Sequence, residues 1–277
     1  MQPTGSFKIR GIGQACQEYV RQGAKRFVSS SGGNAGIAAA YAGRRLSVPV
    51  VVVVPETTTN RAKAFIQNEG AEVIVHGTSW HEANSLALSM LSETDYFIHP
   101  FDDPLLWQGH ASMIDEIAVS GVKPEAVVLS VGGGGLLCGV IEGLQRNNWT
   151  DVPIVAVETE GAESYAASVR EGHLVELAAI TSIATSLGAR QVCNQAYIWS
   201  KTYPIKNVVV SDKSSIAACE SFIEDHQVVV EPACGASLAA VYDNVPELSS
   251  FSSVLVIVCG GVTSTIAQLQ RWSKNFV

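Results

Sequence analysis

The sequence is poor in charge, poor in aromatics and without a long apolar run. Of 277 residues, 16% are charged and 7% aromatic, while 47% are hydrophobic. Such a chain is not disordered, and its length allows one large or two medium domains whose core needs no staples. Lysine and arginine number 18 against 26 acidic residues, a formal charge of −8. That balance argues against general nucleic-acid binding. The longest strongly apolar run, Val50–Val54, is bracketed by Pro49 and Pro55, far short of the roughly 20 residues that cross a bilayer. The first residues show no basic stretch followed by an apolar one, so no secretory signal is visible. The six cysteines (16, 138, 193, 219, 234 and 259) contain no CxxC pair and no zinc-site spacing. Without an export signal they read as reduced thiols of a cytoplasmic protein. Repeats, low-complexity tracts and Pro/Ser linkers are absent as well.

What the chain does have is alternation. Apolar, β-branched segments at 26–29, 48–54, 71–76, 96–99, 126–130, 154–157, 207–210 and 254–258 read as strands. Most are continuously apolar, as in parallel sheets covered on both faces. Between them, 36–45, 61–69, 80–91, 107–120, 136–145, 164–171, 214–225 and 263–274 read as helices. Strand–helix alternation predicts an α/β fold with open, twisted, mostly parallel sheets flanked by helices. Pro100-Phe101-Asp102-Asp103-Pro104 marks the best domain boundary, after a first α/β layer of residues 9–101. In such folds ligands sit at the carboxyl ends of strands.

Three strand ends are glycine-rich: Ser29–Gly36, Ser130–Leu136 and Val258–Thr263. Four consecutive glycines, Gly132, Gly133, Gly134 and Gly135, open a helix, so their N–H groups can converge on an anion at its positive end. The competing reading is a tight turn under a packed helix. The loop fits neither GxGxxG nor GxxxxGK[ST], which weakens a nucleotide-hydrolase reading. Lysine is scarce, and Lys8 lies between Phe7 and Ile9. Alone it reads as a solvated lysine; desolvated by those neighbours, its amine becomes a nucleophile. An amine, a phosphate seat and an aromatic partner are what pyridoxal phosphate requires.

These residues carry a resemblance. Ser6-Phe7-Lys8-Ile9-Arg10-Gly11, Ser30–Gly36, Pro100–Asp103, Gly109–Ser112, Ser130–Gly139, Val157–Ala162, Val230–Tyr242 and Val256–Gly261 are similar to the serine/threonine dehydratases. Those are pyridoxal-phosphate enzymes of fold type II, the tryptophan synthase beta-like fold, and the animal-type L-serine dehydratases are the branch most resembled. Threonine synthases and cysteine synthases carry Lys-Asp-Arg where this chain has Lys8-Ile9-Arg10. Biosynthetic threonine dehydratases carry Asn-His where it has Asn34-Ala35.

The resemblance implies a small domain of 9–101 and a large domain of 1–8 with 102–277. It implies that Lys8 carries the cofactor covalently, Phe7 packs on its ring, Asn34 bonds the ring's 3′-oxygen, and Gly132–Gly135 with Leu136 hold the phosphate. Cys259 would face the ring nitrogen; without the family it reads as a small buried apolar residue. Ser31, Gly32, Asn34 and the amide of Ala35 would hold the substrate carboxylate. Serine racemases, similar in fold, carry serine where this chain has Gly32, so elimination without efficient racemisation is expected. Glu158 reads on pattern as an exposed or capping carboxylate. By resemblance it joins the carbonyls of Gly132, Ala162, Leu187 and Ala189 around a monovalent cation such as K+. Ser186 stands where the family often has alanine against the second ring face.

The implied activity is loss of water from L-serine, and from L-threonine, to pyruvate (or 2-oxobutyrate) and ammonia. The implied setting is a cytoplasmic homodimer acting on a small amino acid, without nucleic acid or membrane. A racemase or another β-eliminase of this fold is the alternative, and a non-catalytic phosphate-binding α/β protein the alternative of another class. The segment ahead of Lys8 is short, seven residues, where relatives are expected to have a further strand. His110, Trp107, Cys138 and Cys234 read as structural, Asp102 and Asp103 as a turn pair, and Glu231-Pro232 as a turn entering a helix.

Overall fold

A computed structural model describes residues 2–276. The chain divides into two compact units, one ending at His110 and the other starting at Ala111. The first holds α1 (Lys8–Arg21), β1 (Arg26–Ser29), α2 (Asn34–Leu46), β2 (Val50–Val54), α3 (Asn60–Asn68), β3 (Glu72–Val75), α4 (Trp80–Ser89) and β4 (Asp95–Phe97), and α5 (Pro104–Val119) begins in it. Its strands are parallel in the order β3-β2-β1-β4, because each strand returns through a helix and none through a hairpin. The five valines of β2 are all buried, in keeping with a β-branched run in an interior strand covered on both faces. Val28, Val51 and Val53 pack against Ala83 and Ala87 of α4. At one edge, Arg26 grips Asp95 with two hydrogen bonds of 3.1 and 2.6 Å, directly across the β1–β4 register. That guanidinium holds the Asp95 carboxyl down at about 2.

The second unit holds β5 (Ala126–Ser130), α6 (Gly135–Arg146), β6 (Ile154–Thr159), α7 (Ser164–Glu171), α8 (Asn194–Thr202), β7 (Ile205–Val210), α9 (Asp212–His226), α10 (Pro232–Tyr242), β8 (Val254–Val256) and α11 (Ile266–Ser273). Its strands are again parallel, in the order β7-β6-β5-β8. β5 and β6 are buried throughout.

The expected strands are all present, with ends shifted by a few residues. The strand expected from Val48 starts at Val50, after Pro49, whose carbonyl accepts from Phe27 N–H at 2.9 Å. Three helices were not among the eight expected: α1, α8 and α10, the last of which begins at Pro232, where a turn entering a helix was expected. α1 contains Gly11 and Gly13, which lower its intrinsic propensity; it forms on a buried stripe of Gly11, Ile12, Ala15 and Cys16, the i, i+1, i+4, i+5 face of a helix. α8 is a short helix of 9 residues with one buried side chain, Ala196, too little periodicity to announce itself.

Candidate active site

Lys8 is the first residue of α1, and its Nζ donates to the carbonyl of Pro100. The ammonium carbon chain passes Phe7, with Nζ 5.2 Å from the ring centroid. The Phe7 ring in turn lies 4.8 Å from the His110 imidazole, tilted at 56°. His110 is fully buried, and neither ring nitrogen has a hydrogen-bond partner among the described residues. Burial first, then the positive Lys8 and Arg10, push its pKa well down. His99 is pushed down to about 4, again by burial and then by Lys8. Its Nδ1 accepts from the N–H groups of Phe101 and Asp102 at 3.2 and 2.7 Å. Two uncharged imidazoles therefore stand in the surroundings of the Lys8 amine.

The loop after β1 is built for an anion. Ser30 Oγ donates to Asn84 Oδ1 at 2.7 Å, fixing the strand end. Gly33 stands at the N-cap of α2 and offers no capping side chain. Elsewhere Thr59, Ser79, Ser211 and Thr265 cap α3, α4, α9 and α11 with their side-chain oxygens. A helix start left uncapped has N–H groups open to a carboxylate. Ser31, Gly32, Asn34 and Ala35 are brought together at this mouth; Asn34 and Ala35 are buried in the first turn. Thr58, which the sequence did not single out, sits over Gly32: a Cβ there would lie 2.5 Å from Thr58 Oγ1.

The loop after β5 repeats the device in the other unit. Gly134 is the N-cap of the 12-residue α6, with φ 92°. That left-handed conformation favours glycine, and a Cβ would meet Ala196 Cβ at 2.6 Å. A Cβ on Gly132 would come within 3.0 Å of Leu187 Cα. Cys193 N–H donates to the Gly133 carbonyl at 3.0 Å, and Cys193 Sγ lies 3.9 Å from Cys138 Sγ. The loop is thus a backbone cradle without side chains at the positive end of a long helix. A phosphate ester fits it.

Cys259 follows β8 and is 6% exposed. The neighbouring Cys234 thiol and burial push its pKa well up, so it is a neutral thiol. Beside the pair lies Glu231, a residue whose role the sequence did not reveal. It is 4% exposed and accepts from Ser186 Oγ at 3.1 Å and from Thr263 Oγ1. An acid set between three valines and a proline was the available signal.

Glu158 lies on β6, fully buried. Its two oxygens accept from the N–H groups of Tyr165 and Ala166 at 2.9 and 2.7 Å, so the carboxyl caps the start of α7. Burial outweighs those bonds and raises it to about 8. Of the expected carbonyl partners, Leu187 accepts from Ala189 N–H at 2.7 Å. Leu187 also abuts Gly132. Ala162 N–H donates to the Thr159 carbonyl at 2.9 Å. Among the described residues no group of three or more His, Cys, Asp or Glu gathers as a metal site, and no helix is long and apolar enough to cross a membrane.

Known proteins bear directly on these loops. The family described as pyridoxal-phosphate dependent enzyme matches residues 1–260. An L-serine dehydratase/L-threonine deaminase from Bos taurus is 48% identical over 285 residues, spanning 99% of this chain and 87% of that protein. An L-serine dehydratase from Dictyostelium discoideum is 44% identical, spanning 97% and 82%. The crystal structure of a fungal L-serine ammonia-lyase from Rhizomucor miehei superposes with a TM-score of 0.95 at 36% identity, over 100% of this chain and 91% of that one.

Proposed function

Since the chain belongs to the pyridoxal-phosphate-dependent enzymes, we propose that it removes water from L-serine and L-threonine, releasing ammonia with pyruvate or 2-oxobutyrate. The observation that carries this reading is 48% identity over 99% of the chain to an L-serine dehydratase/L-threonine deaminase. Pyridoxal phosphate, when bound, supplies the electron sink that acidifies the substrate's Cα–H.

Each residue's part follows from its surroundings. Lys8 Nζ would carry the cofactor and, once released, would take the Cα proton; its uncharged imidazole neighbours add no positive charge beside it. Phe7, held by His110, packs on the ring. Asn34 bonds the 3′-oxygen. Gly132, Gly133, Gly134, Gly135 and Leu136 hold the phosphate through backbone N–H groups. Cys259, a neutral thiol, would face the ring nitrogen without giving it a full proton, and a bound cofactor would supply a phosphate proton with which the β-hydroxyl leaves as water. Ser31, Gly32, Asn34 and Ala35 orient the substrate carboxylate. Gly32 places no acid opposite Lys8, so a proton is not returned to the other face.

We keep the functional division into residues 9–101 and 1–8 with 102–277, and place a K+ ion beside Glu158 with carbonyls of Gly132, Ala162, Leu187 and Ala189. The full burial of this carboxyl, which its two N–H bonds do not offset, supports that placement. Ser186 acts through Glu231 and not directly on the ring. The reading puts the chain in the cytoplasm as a homodimer, in amino-acid catabolism ahead of gluconeogenesis. Its six free cysteines suit a reducing compartment.

One experiment tests the function: the purified protein is reconstituted with pyridoxal phosphate and assayed for pyruvate from L-serine, 2-oxobutyrate from L-threonine and D-serine. Visible absorbance with both keto acids formed is expected. A colourless protein inert toward both amino acids overturns the reading.

A further inference from the structure

One carboxylate in the second unit joins two segments that the proposed function uses separately. Ser186 belongs to the short helical turn Thr185–Leu187. That turn packs on the glycine cradle, where the Ser186 carbonyl and Leu187 Cα stand within 3.2 and 3.0 Å of a Cβ built on Gly132. Thr263 belongs to the segment after β8, four residues beyond Cys259. Glu231 accepts from both hydroxyls with a single oxygen, Oε2. Its own N–H donates to the Gly260 carbonyl at 3.1 Å, and its carbonyl accepts from Cys234 N–H at 2.8 Å. Glu231 stands at the N-cap of α10 but spends no side-chain bond on that helix, which is the ordinary use of a polar side chain there. A carboxylate 4% exposed is costly unless its bonds do something a neutral residue would not.

We infer that Glu231 is a positioning residue: it fixes the separation between the glycine cradle and Cys259, and so the pose of a cofactor whose phosphate occupies the first and whose ring nitrogen faces the second. The negative charge of Glu231 also acts on Cys259, pushing its pKa further up and keeping it a neutral donor. This rests on the cofactor-binding roles proposed for the cradle and Cys259. It makes Ser186 and Thr263 the two arms of a clamp.

The test uses the holoenzyme and reads cofactor binding, not turnover alone. In Glu231→Ala, pyridoxal phosphate retention by equilibrium dialysis weakens roughly 10- to 100-fold, the loss expected for charge-assisted bonds. The visible absorption maximum shifts, and the difference in melting temperature between holo- and apoprotein shrinks. Glu231→Gln keeps one acceptor oxygen for the two hydroxyls but not the charge, and gives a loss between those of wild type and Glu231→Ala. Should Glu231→Ala not fold, Ser186→Ala and Thr263→Val each cut one arm and give a smaller loss in the same direction. Unchanged retention and spectrum in these variants, with wild-type protein binding the cofactor normally, overturn the inference. Equal losses of stability in holo- and apoprotein with an unmoved spectrum do the same. Wild-type protein that binds no cofactor instead overturns the functional reading beneath it.

Discussion

Gly32→Ala forces a methyl into space that Thr58 already fills. The new Cβ would lie 2.5 Å from Thr58 Oγ1, 2.6 Å from Cγ2 and 3.2 Å from Cβ. Ordinary carbon contacts sit near about 3.5–4.0 Å, so two atoms overlap by about 1 Å. Thr58 is half-buried, and its side chain has some freedom to turn away, at about 0.5–1.5 kcal/mol if it leaves its rotamer. Its backbone is less free, because Thr58 N–H donates to the Pro55 carbonyl at 3.0 Å. Where the loop moves instead, overpacking costs about 1–3 kcal/mol, and the carboxylate-holding N–H groups move with it. The single substitution is therefore expected to lower the melting temperature and raise KM for L-serine. Thr58→Gly removes all three near atoms, so the double variant recovers, with a coupling of about 0.5–3 kcal/mol in a double-mutant cycle. Effects that add to within about 0.5 kcal/mol refute the steric reasoning. In the roomier Thr58→Gly background, Gly32→Ser should raise D-serine output well above the wild-type level. Output at background refutes the idea that the missing hydroxyl is what limits racemisation.

Three further outcomes are expected. Lys8→Ala protein loses the visible absorbance of bound cofactor and its amino-acid turnover, while its melting temperature without cofactor stays close to wild type; retained absorbance refutes the role given to Nζ. Gly134→Ala puts a side chain at φ 92° against Ala196, costing about 1–3 kcal/mol in stability and weakening cofactor retention, which dialysis and thermal melting measure together. Glu158 has its carboxyl raised from 4.5 to about 8 in the fold. The folded chain thus holds a proton that the unfolded chain releases above 4.5, so this contribution is fully present below 4.5 and is lost as pH rises through about 8. The loss is on the order of 5 kcal/mol. Melting temperatures should fall across that window in a lithium buffer and less in potassium, and Glu158→Gln should flatten both curves. Equal curves and equal activity in the two salts remove the cation.

The fold was legible where its determinants are local. Five valines between two prolines announce β2, and glycine runs after apolar segments announce the two helix starts with glycine at the N-cap. α1 was hidden because Gly11 and Gly13 speak against a helix, while the packing that overrides them lies elsewhere in the unit. The candidate site was legible where a motif is contiguous, at Phe7-Lys8 and at Gly132–Gly135. Glu231 was hidden because its partners lie 45 and 32 positions away, and a sequence does not show which acids end up buried. Thr58 meets Gly32 across two intervening elements, and the burial of His110 against Phe7 depends on a contact between α5 and the start of α1. Glu158 was half legible: its strand was placed, but its bonds to Tyr165 and Ala166 decide that it caps a helix.

The two helix starts with glycine at the N-cap belong to different units, each with its own sheet and its own core. On the proposed roles, the substrate's carboxylate is read in one and the cofactor's phosphate in the other. Drift can therefore act on the two independently. Substitutions around Ser31, Gly32 and Thr58 can adjust which amino acid is accepted, or which reaction follows, while the glycine cradle and its supporting carboxylate stay untouched. A lineage that needs a new substrate has an interchangeable part to vary and an invariant part to keep, and directed evolution of this chain would best confine its libraries to the first.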